Sequence, residues 1–275
     1  MDSGDKLPDE ETQYQAYKKA LEAFGDKPVT LRTMDIGGDK QLPCLPLPKE
    51  DNPFLGKRAL RLCFDRLDIF KTQLRAALRA SVHGNLWIMF PMVGAIDDIR
   101  KAKAIVKEVE EELTAEGIAY NKDTKIGIMI EIPSIAIMSD LAALESDFCS
   151  IGSNDLCQYT TATDRLNPEV TKYYQSYSPA LFRLIRIIAK NYEAAGKPSC
   201  ICGELGGDNI ATAALVGFGM RKLSMSASSV AGVKKLISNI TIAEAQKVAD
   251  DICAMCTAEE VEAYLKAFAN DHGII

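Results

Sequence analysis

Histidine is scarce in this chain: two residues in 275, His83 and His272. Neither stands in a recognisable catalytic context, and His83, just before Gly84, reads as a cation at a helix end. Cys253-Ala254-Met255-Cys256 has metal-site spacing, but no second pair stands at zinc-finger distance. That argues against a zinc or redox role. Positive charge is also short, with 32 Lys+Arg against 38 Asp+Glu, a net charge of −6. Nucleic acid and anionic membrane are therefore poor candidates for the main partner. No apolar run approaches the roughly 20 residues of a membrane span, and no signal peptide opens the chain, so no membrane insertion is expected. There is no internal repeat, low-complexity tract or linker, which points to one domain over residues 1–275. Cysteine alone is plentiful, at eight. A chain this long needs no disulfide scaffold, so free thiols in a reducing, cytoplasmic compartment are expected.

What is present is alternation. Short apolar runs occur at Val29–Thr33, Leu86–Phe90, Ile126–Ile130, Phe148–Ile151, Ser199–Cys202 and Lys222–Met225. Helix-like spacing covers Glu10–Phe24, Ala95–Glu116, Ile132–Leu144, Pro179–Ala195 and Asn209–Gly217, and Thr241–Asn270 reads as two closing helices. Strand–helix alternation predicts an α/β fold with a parallel sheet, open or closed into a barrel. Several runs end in polar residues: Arg32 and Asp35, Glu131, Asn154 and Asp155, Cys202 and Glu204, Ser224 and Ser226. Polar groups at strand C-terminal ends are how a (β/α) barrel builds an active site.

The densest chemistry lies in Ser199-Cys200-Ile201-Cys202-Gly203-Glu204-Leu205-Gly206-Gly207-Asp208. An unperturbed thiol, with a pKa of about 8.5, is mostly protonated at neutral pH and can give up a proton. Cys202 ends its run and is the candidate donor, whereas Cys200 shares its face of the strand and is expected deeper. Glu131 and Asp155 each follow a strand-like run, and two carboxylates with substrate oxygens and water make a hard site of the magnesium kind. The competing reading is that each caps the following helix, and Pro133 does announce a helix start.

The chain resembles enzyme I of the bacterial sugar phosphotransferase system, in its C-terminal phosphoenolpyruvate-binding barrel, from about Leu7 onward. The resemblance rests on Leu31-Arg32-Thr33-Met34-Asp35-Ile36-Gly37-Gly38-Asp39-Lys40, Asn52-Pro53-Phe54-Leu55-Gly56, Met89-Phe90-Pro91-Met92, Ile151-Gly152-Ser153-Asn154-Asp155-Leu156, Asp164-Arg165, Cys202-Gly203-Glu204-Leu205 and Ser224-Met225-Ser226-Ala227. Pyruvate phosphate dikinases and phosphoenolpyruvate synthases share some of these motifs. The resemblance implies a TIM-type (β/α)8 barrel of the phosphoenolpyruvate/pyruvate class. Only six runs can be counted where such a barrel has eight, so its first two strands are expected to be missing here.

It further implies phosphate and carboxylate contacts for Arg32 and Arg165, with Arg58 and Lys40 as second contributors and Asn154 and Asp155 at the substrate. Glu131 and Asp155 would hold Mg2+, and Cys202 would protonate the enolate of pyruvate after phosphoryl transfer to a histidine. The Gly-rich Thr-Ser-His motif that carries that histidine does not occur. The implied partners are phosphoenolpyruvate and pyruvate, a phosphohistidine domain from elsewhere, and a second copy in a homodimer. Three readings stay open: the substrate-binding part of a phosphotransferase, inactive alone; a non-catalytic phosphoenolpyruvate-binding or regulatory module that pairs with full-length enzyme I; and a remnant of a dikinase or synthase.

Overall fold

A computed structural model describes residues 6–37 and 42–273. Lys40 lies outside the described residues. The chain forms two compact units, Met1–Ile128 and Met129–Ile275.

The first unit contains α1 (Glu10–Phe24), β1 (Val29–Arg32), α2 (Ala59–Asp65), α3 (Leu67–Ala80), β2 (Leu86–Phe90), α4 (Ile96–Ala115) and most of β3 (Lys125–Ile130). Its strands pair in parallel in the order β1-β2-β3, with Arg32 opposite Met89 and Phe90 opposite Ile128. Asp9 caps α1 by accepting from the Thr12 N–H at 2.8 Å, and Gly25 ends it with positive φ. The buried face of α3, including Phe70 and Leu74, packs toward β2, where Phe70 meets Phe90 edge-on at 6.0 Å. Its opposite edge carries Arg75 and Arg79, which both pair with Glu10 of α1, at 2.8 and 2.6 Å.

The second unit continues with α5 (Pro133–Ile137), α6 (Ser139–Glu145), β4 (Cys149–Gly152), α7 (Ser153–Thr161), α8 (Pro179–Ala194), β5 (Ser199–Cys202), α9 (Thr212–Gly217), α10 (Val230–Asn239), α11 (Ile242–Ala254) and α12 (Ala258–Asp271). Strand order there is β3-β4-β5, and β4 and β5 are parallel with Gly152 opposite Cys202. The amphipathic helix α8 buries Leu181, Phe182, Ile185, Ile188 and Tyr192. Thr241 and Thr257 begin α11 and α12 with reciprocal capping boxes through Glu244 and Glu260.

The parallel α/β class stands. The run at Lys222–Met225 is not a strand: it makes one parallel bridge, Leu223 to Ile201, with the Ser224 N–H donating to the Ile201 carbonyl. Ile132–Leu144 is two short helices, because Met138 departs from helical geometry and joins them. All eight cysteines are free thiols.

Candidate functional site

In the second unit, the ends of β3, β4 and β5 bring four of the expected residues together. Glu131 follows β3 immediately and is 1% exposed. Its carboxylate lies against the end of β4: a Cβ on Gly152 would stand 2.7 Å from Glu131 Oε2. Glycine is therefore what lets the carboxylate cross that strand end. Glu131 is not the cap of α5, whose cap residue is Ile132 with no side-chain cap bond.

Gly152 itself precedes α7, placing Asn154 and the buried Asp155 in the first helical turn. No side chain caps α7, so its first N–H groups favour an anion. Asp155 pairs with Arg165 at 3.6 Å, longer than a hydrogen bond, and the Arg165 side chain is 29% exposed. The Arg165 N–H is fixed by Gln158 Oε1 at 3.0 Å.

Asn154 Oδ1 accepts the Glu204 N–H at 3.1 Å. The atom facing an N–H donor must be the oxygen, so the Asn154 amide nitrogen keeps its two donors for another partner. Tyr174 Oη donates to the Asn154 carbonyl at 3.2 Å, and burial pushes the phenol pKa up. Ser153 Oγ donates to the Cys202 carbonyl at 2.7 Å. The Cys202 thiol, at the end of β5, donates to the Ile151 carbonyl at 3.4 Å. Gly203 follows at φ +87°, and a Cβ there would stand 2.4 Å from Ser153 Oγ. Only glycine meets both conditions. Cys200 is half-buried rather than fully buried, and desolvation raises its pKa.

In the first unit, Arg32 ends β1 with a 44% exposed side chain and a loose contact to Asp35 at 3.7 Å. Arg58 is different. Its guanidinium grips Asp35 through Nη2 at 3.0 and 3.1 Å and Nε at 3.3 Å, and both side chains are at most 5% exposed. The carboxylate occupies much of the donor fork that a substrate anion would use.

Sequence reasoning gave no roles to Gly152, Ser153, Gly203 or Tyr174. The first three stand inside the quoted motifs, which was the available signal. Tyr174 carried no signal, because its contact spans 20 residues.

The donor set fits magnesium. Glu131 and Asp155 offer hard oxygens from buried carboxylates, linked through the β4 end, and magnesium usually takes one or two carboxylates plus substrate phosphate and water. Among the described residues no group of three or more His, Cys, Asp or Glu side chains could hold a metal ion.

Parallel strands with acids, amide, guanidinium and thiol at their C-terminal ends define an α/β protein equipped for an anionic, oxygen-rich ligand. The family profile described as "PEP-utilising enzyme, PEP-binding domain" matches residues 1–242, and the chain belongs to that family. It is 49% identical over 261 residues to a phosphoenolpyruvate-protein phosphotransferase of Priestia megaterium, covering 95% of this chain and 46% of that protein. The like-named protein of Bacillus subtilis (strain 168) is 49% identical over 262 residues, and that of Streptococcus equinus 50% over 273, covering 95% and 98% of this chain and 46% and 47% of theirs. The chain thus spans about half the length of the curated relatives it matches. A citrate lyase structure from Burkholderia xenovorans LB400 aligns at TM-score 0.47 and 17% identity over 76% of this chain and 71% of that one, too loosely to carry an argument. No helix among the described residues is long and apolar enough to cross a membrane.

Proposed function

We propose that this chain binds phosphoenolpyruvate with magnesium and supports transfer of its phosphoryl group to a histidine, releasing pyruvate. The observation that carries the reading is the cluster in the second unit, where contacts tie Glu131, Asn154, Asp155, Arg165 and Cys202 to the ends of three neighbouring strands. Arg165 and the Asn154 amide bind the substrate's anionic groups; for Arg32, at the end of β1, the resemblance implies a phosphate or carboxylate contact. Arg58 acts by holding Asp35. Glu131 and Asp155 would hold the Mg2+, which neutralises charge on the phosphate and the developing enolate when bound.

In the transfer, the acceptor nitrogen forms a bond to phosphorus as the bond from phosphorus to the enol oxygen breaks. The electron pair leaves with the enolate. Cys202 then gives its proton to the methylene carbon, completing pyruvate, and the thiolate regains a proton from water. Until that proton transfer the protein's task is positioning and charge neutralisation.

The acceptor is external to residues 1–275. Of the two histidines, His83 Nε2 is engaged by the Tyr14 hydroxyl at 2.9 Å, and His272 Nδ1 by the Phe268 carbonyl at 2.7 Å. The protein acts in the cytoplasm, as the sugar phosphotransferase resemblance implies, and as a homodimer.

Cys202→Ser tests the assignment by separating binding from chemistry. Phosphoenolpyruvate affinity should survive, because the hydroxyl keeps the shape. Pyruvate formation with a phosphohistidine domain supplied in trans should fall about 10²–10⁴-fold, the scale of a lost general acid. Equal turnover by the serine variant would remove Cys202 from the reaction. Steady pyruvate release by the chain alone would contradict the external acceptor.

A further inference from the structure

We infer that a small cavity beside Asn154 receives the acceptor imidazole and that Glu204 orients it. The inference rests on the reading above and adds the acceptor's side of the same site. The cavity, about 220 Å³, lies within the second unit and is walled in part by Asn154, Tyr174, Tyr177, Leu181, Glu204 and Leu205. It is smaller than the roughly 300 Å³ at which drug-sized pockets begin, which suits one side chain rather than a nucleotide.

Its walls are held in place. Tyr174 is pinned to the Asn154 carbonyl and Tyr177 to the Asp208 carboxylate, so the two phenols spend their hydroxyl protons on the frame and leave ring surface to the cavity. Burial raises the pKa of both and keeps them neutral. Glu204 differs from every other polar wall residue named. Its backbone is fixed by Asn154 Oδ1 at 3.1 Å, yet among the described residues its exposed carboxylate has no hydrogen-bond or ion-pair partner. A fixed backbone with an uncommitted carboxylate beside apolar and aromatic walls suits a flat ring carrying one N–H.

An imidazole that attacks phosphorus has that requirement. One nitrogen presents its lone pair, and the other keeps its proton and must be held. As the nitrogen–phosphorus bond forms and the phosphorus–enol oxygen bond breaks, the ring retains its N–H and becomes cationic. A carboxylate on that N–H selects the reactive tautomer and balances the new charge. Asn154, shared between cavity and substrate, places the two reactants on either side of one residue.

Free imidazole serves as the probe. It is titrated into the intact chain at about pH 8, where an imidazole with a pKa of about 6.5 is neutral. Amide shifts are followed by NMR. Saturable shifts are expected at Asn154, Tyr174 and Glu204, with affinity falling about tenfold in Glu204→Ala, the scale of a lost charge-assisted hydrogen bond. N-methylimidazole, which lacks the N–H, should bind as weakly to the parent as imidazole does to that variant. Shifts that are absent, lie elsewhere, or persist unchanged in Glu204→Ala or with N-methylimidazole would overturn the inference. Phosphoenolpyruvate with magnesium, titrated into the same parent sample, reports on the binding reading separately: its failure with the imidazole result intact counts against that reading alone.

Discussion

One aspartate–arginine pair from each unit, Asp35–Arg58 and Asp155–Arg165, can be set side by side, and the two are built in opposite ways. The side chains of Asp35 and Arg58 are at most 5% exposed and joined by three hydrogen bonds. Asp155 and Arg165 stand 3.6 Å apart with 11% and 29% of their side chains exposed. A closed, desolvated pair spends its hydrogen-bonding capacity on itself. An open pair keeps charge and donors for a third party. Burial and distance, more than residue type, set the two apart: the first pair is closed on itself, and the second is open to the ligand proposed above.

The largest effect should come from breaking the closed pair. Asp35→Ala leaves a guanidinium buried without its main counter-charge and should cost about 3–5 kcal/mol of unfolding free energy. Equilibrium urea denaturation measures this, and a loss within 1 kcal/mol would erase the distinction between the pairs.

Arg165→Ala should do the reverse. Stability should change by less than about 1 kcal/mol, as for partly exposed ion pairs. Phosphoenolpyruvate affinity should fall about 10–100-fold, the worth of a hydrogen bond to a charged group. Calorimetric titration beside a denaturation curve reads both, and a destabilised variant with unaltered affinity would make Arg165 a second structural arginine.

The smallest effect concerns the half-buried network between α1 and α3. Burial pushes the Glu10 carboxyl up, but hydrogen bonds from Arg75 and Arg79 outweigh it and hold the pKa below the usual carboxylate range. A carboxyl depressed by folding stabilises the protein above its ordinary pKa, and that contribution is lost as pH falls through the depressed value. The parent should therefore exceed Glu10→Gln in stability at neutral pH by no more than about 1 kcal/mol, given solvent screening. The gap should close under acid. A gap that widened as pH fell would reverse the sign of the argument.

The elements were legible where periodicity and punctuation agree. Glu10–Phe24, Leu86–Phe90 and Ser199–Cys202 have in the structure the bounds their patterns suggest. Lys222–Met225 has the composition of a strand but pairs only at Leu223, because pairing depends on a neighbour that local sequence does not report. The site was legible as a set of motifs, each a few residues long. What stayed hidden was the pairing of Arg58: Asp35 lies 23 residues away, and nothing between them signals a bidentate grip. The tyrosine hydrogen bonds to Asn154 and Asp208, 20 and 31 residues away, were hidden for the same reason.

The central claim is that the second unit's carboxylates and arginine bind phosphoenolpyruvate through magnesium. Isothermal titration of the intact chain with phosphoenolpyruvate, with and without Mg2+, tests it most directly. Saturable binding should appear with magnesium, vanish when the ion is chelated, and be abolished by Glu131→Ala and by Asp155→Ala, since each removes one of two protein carboxylates from the ion. Binding that ignored magnesium and both substitutions would contradict the account.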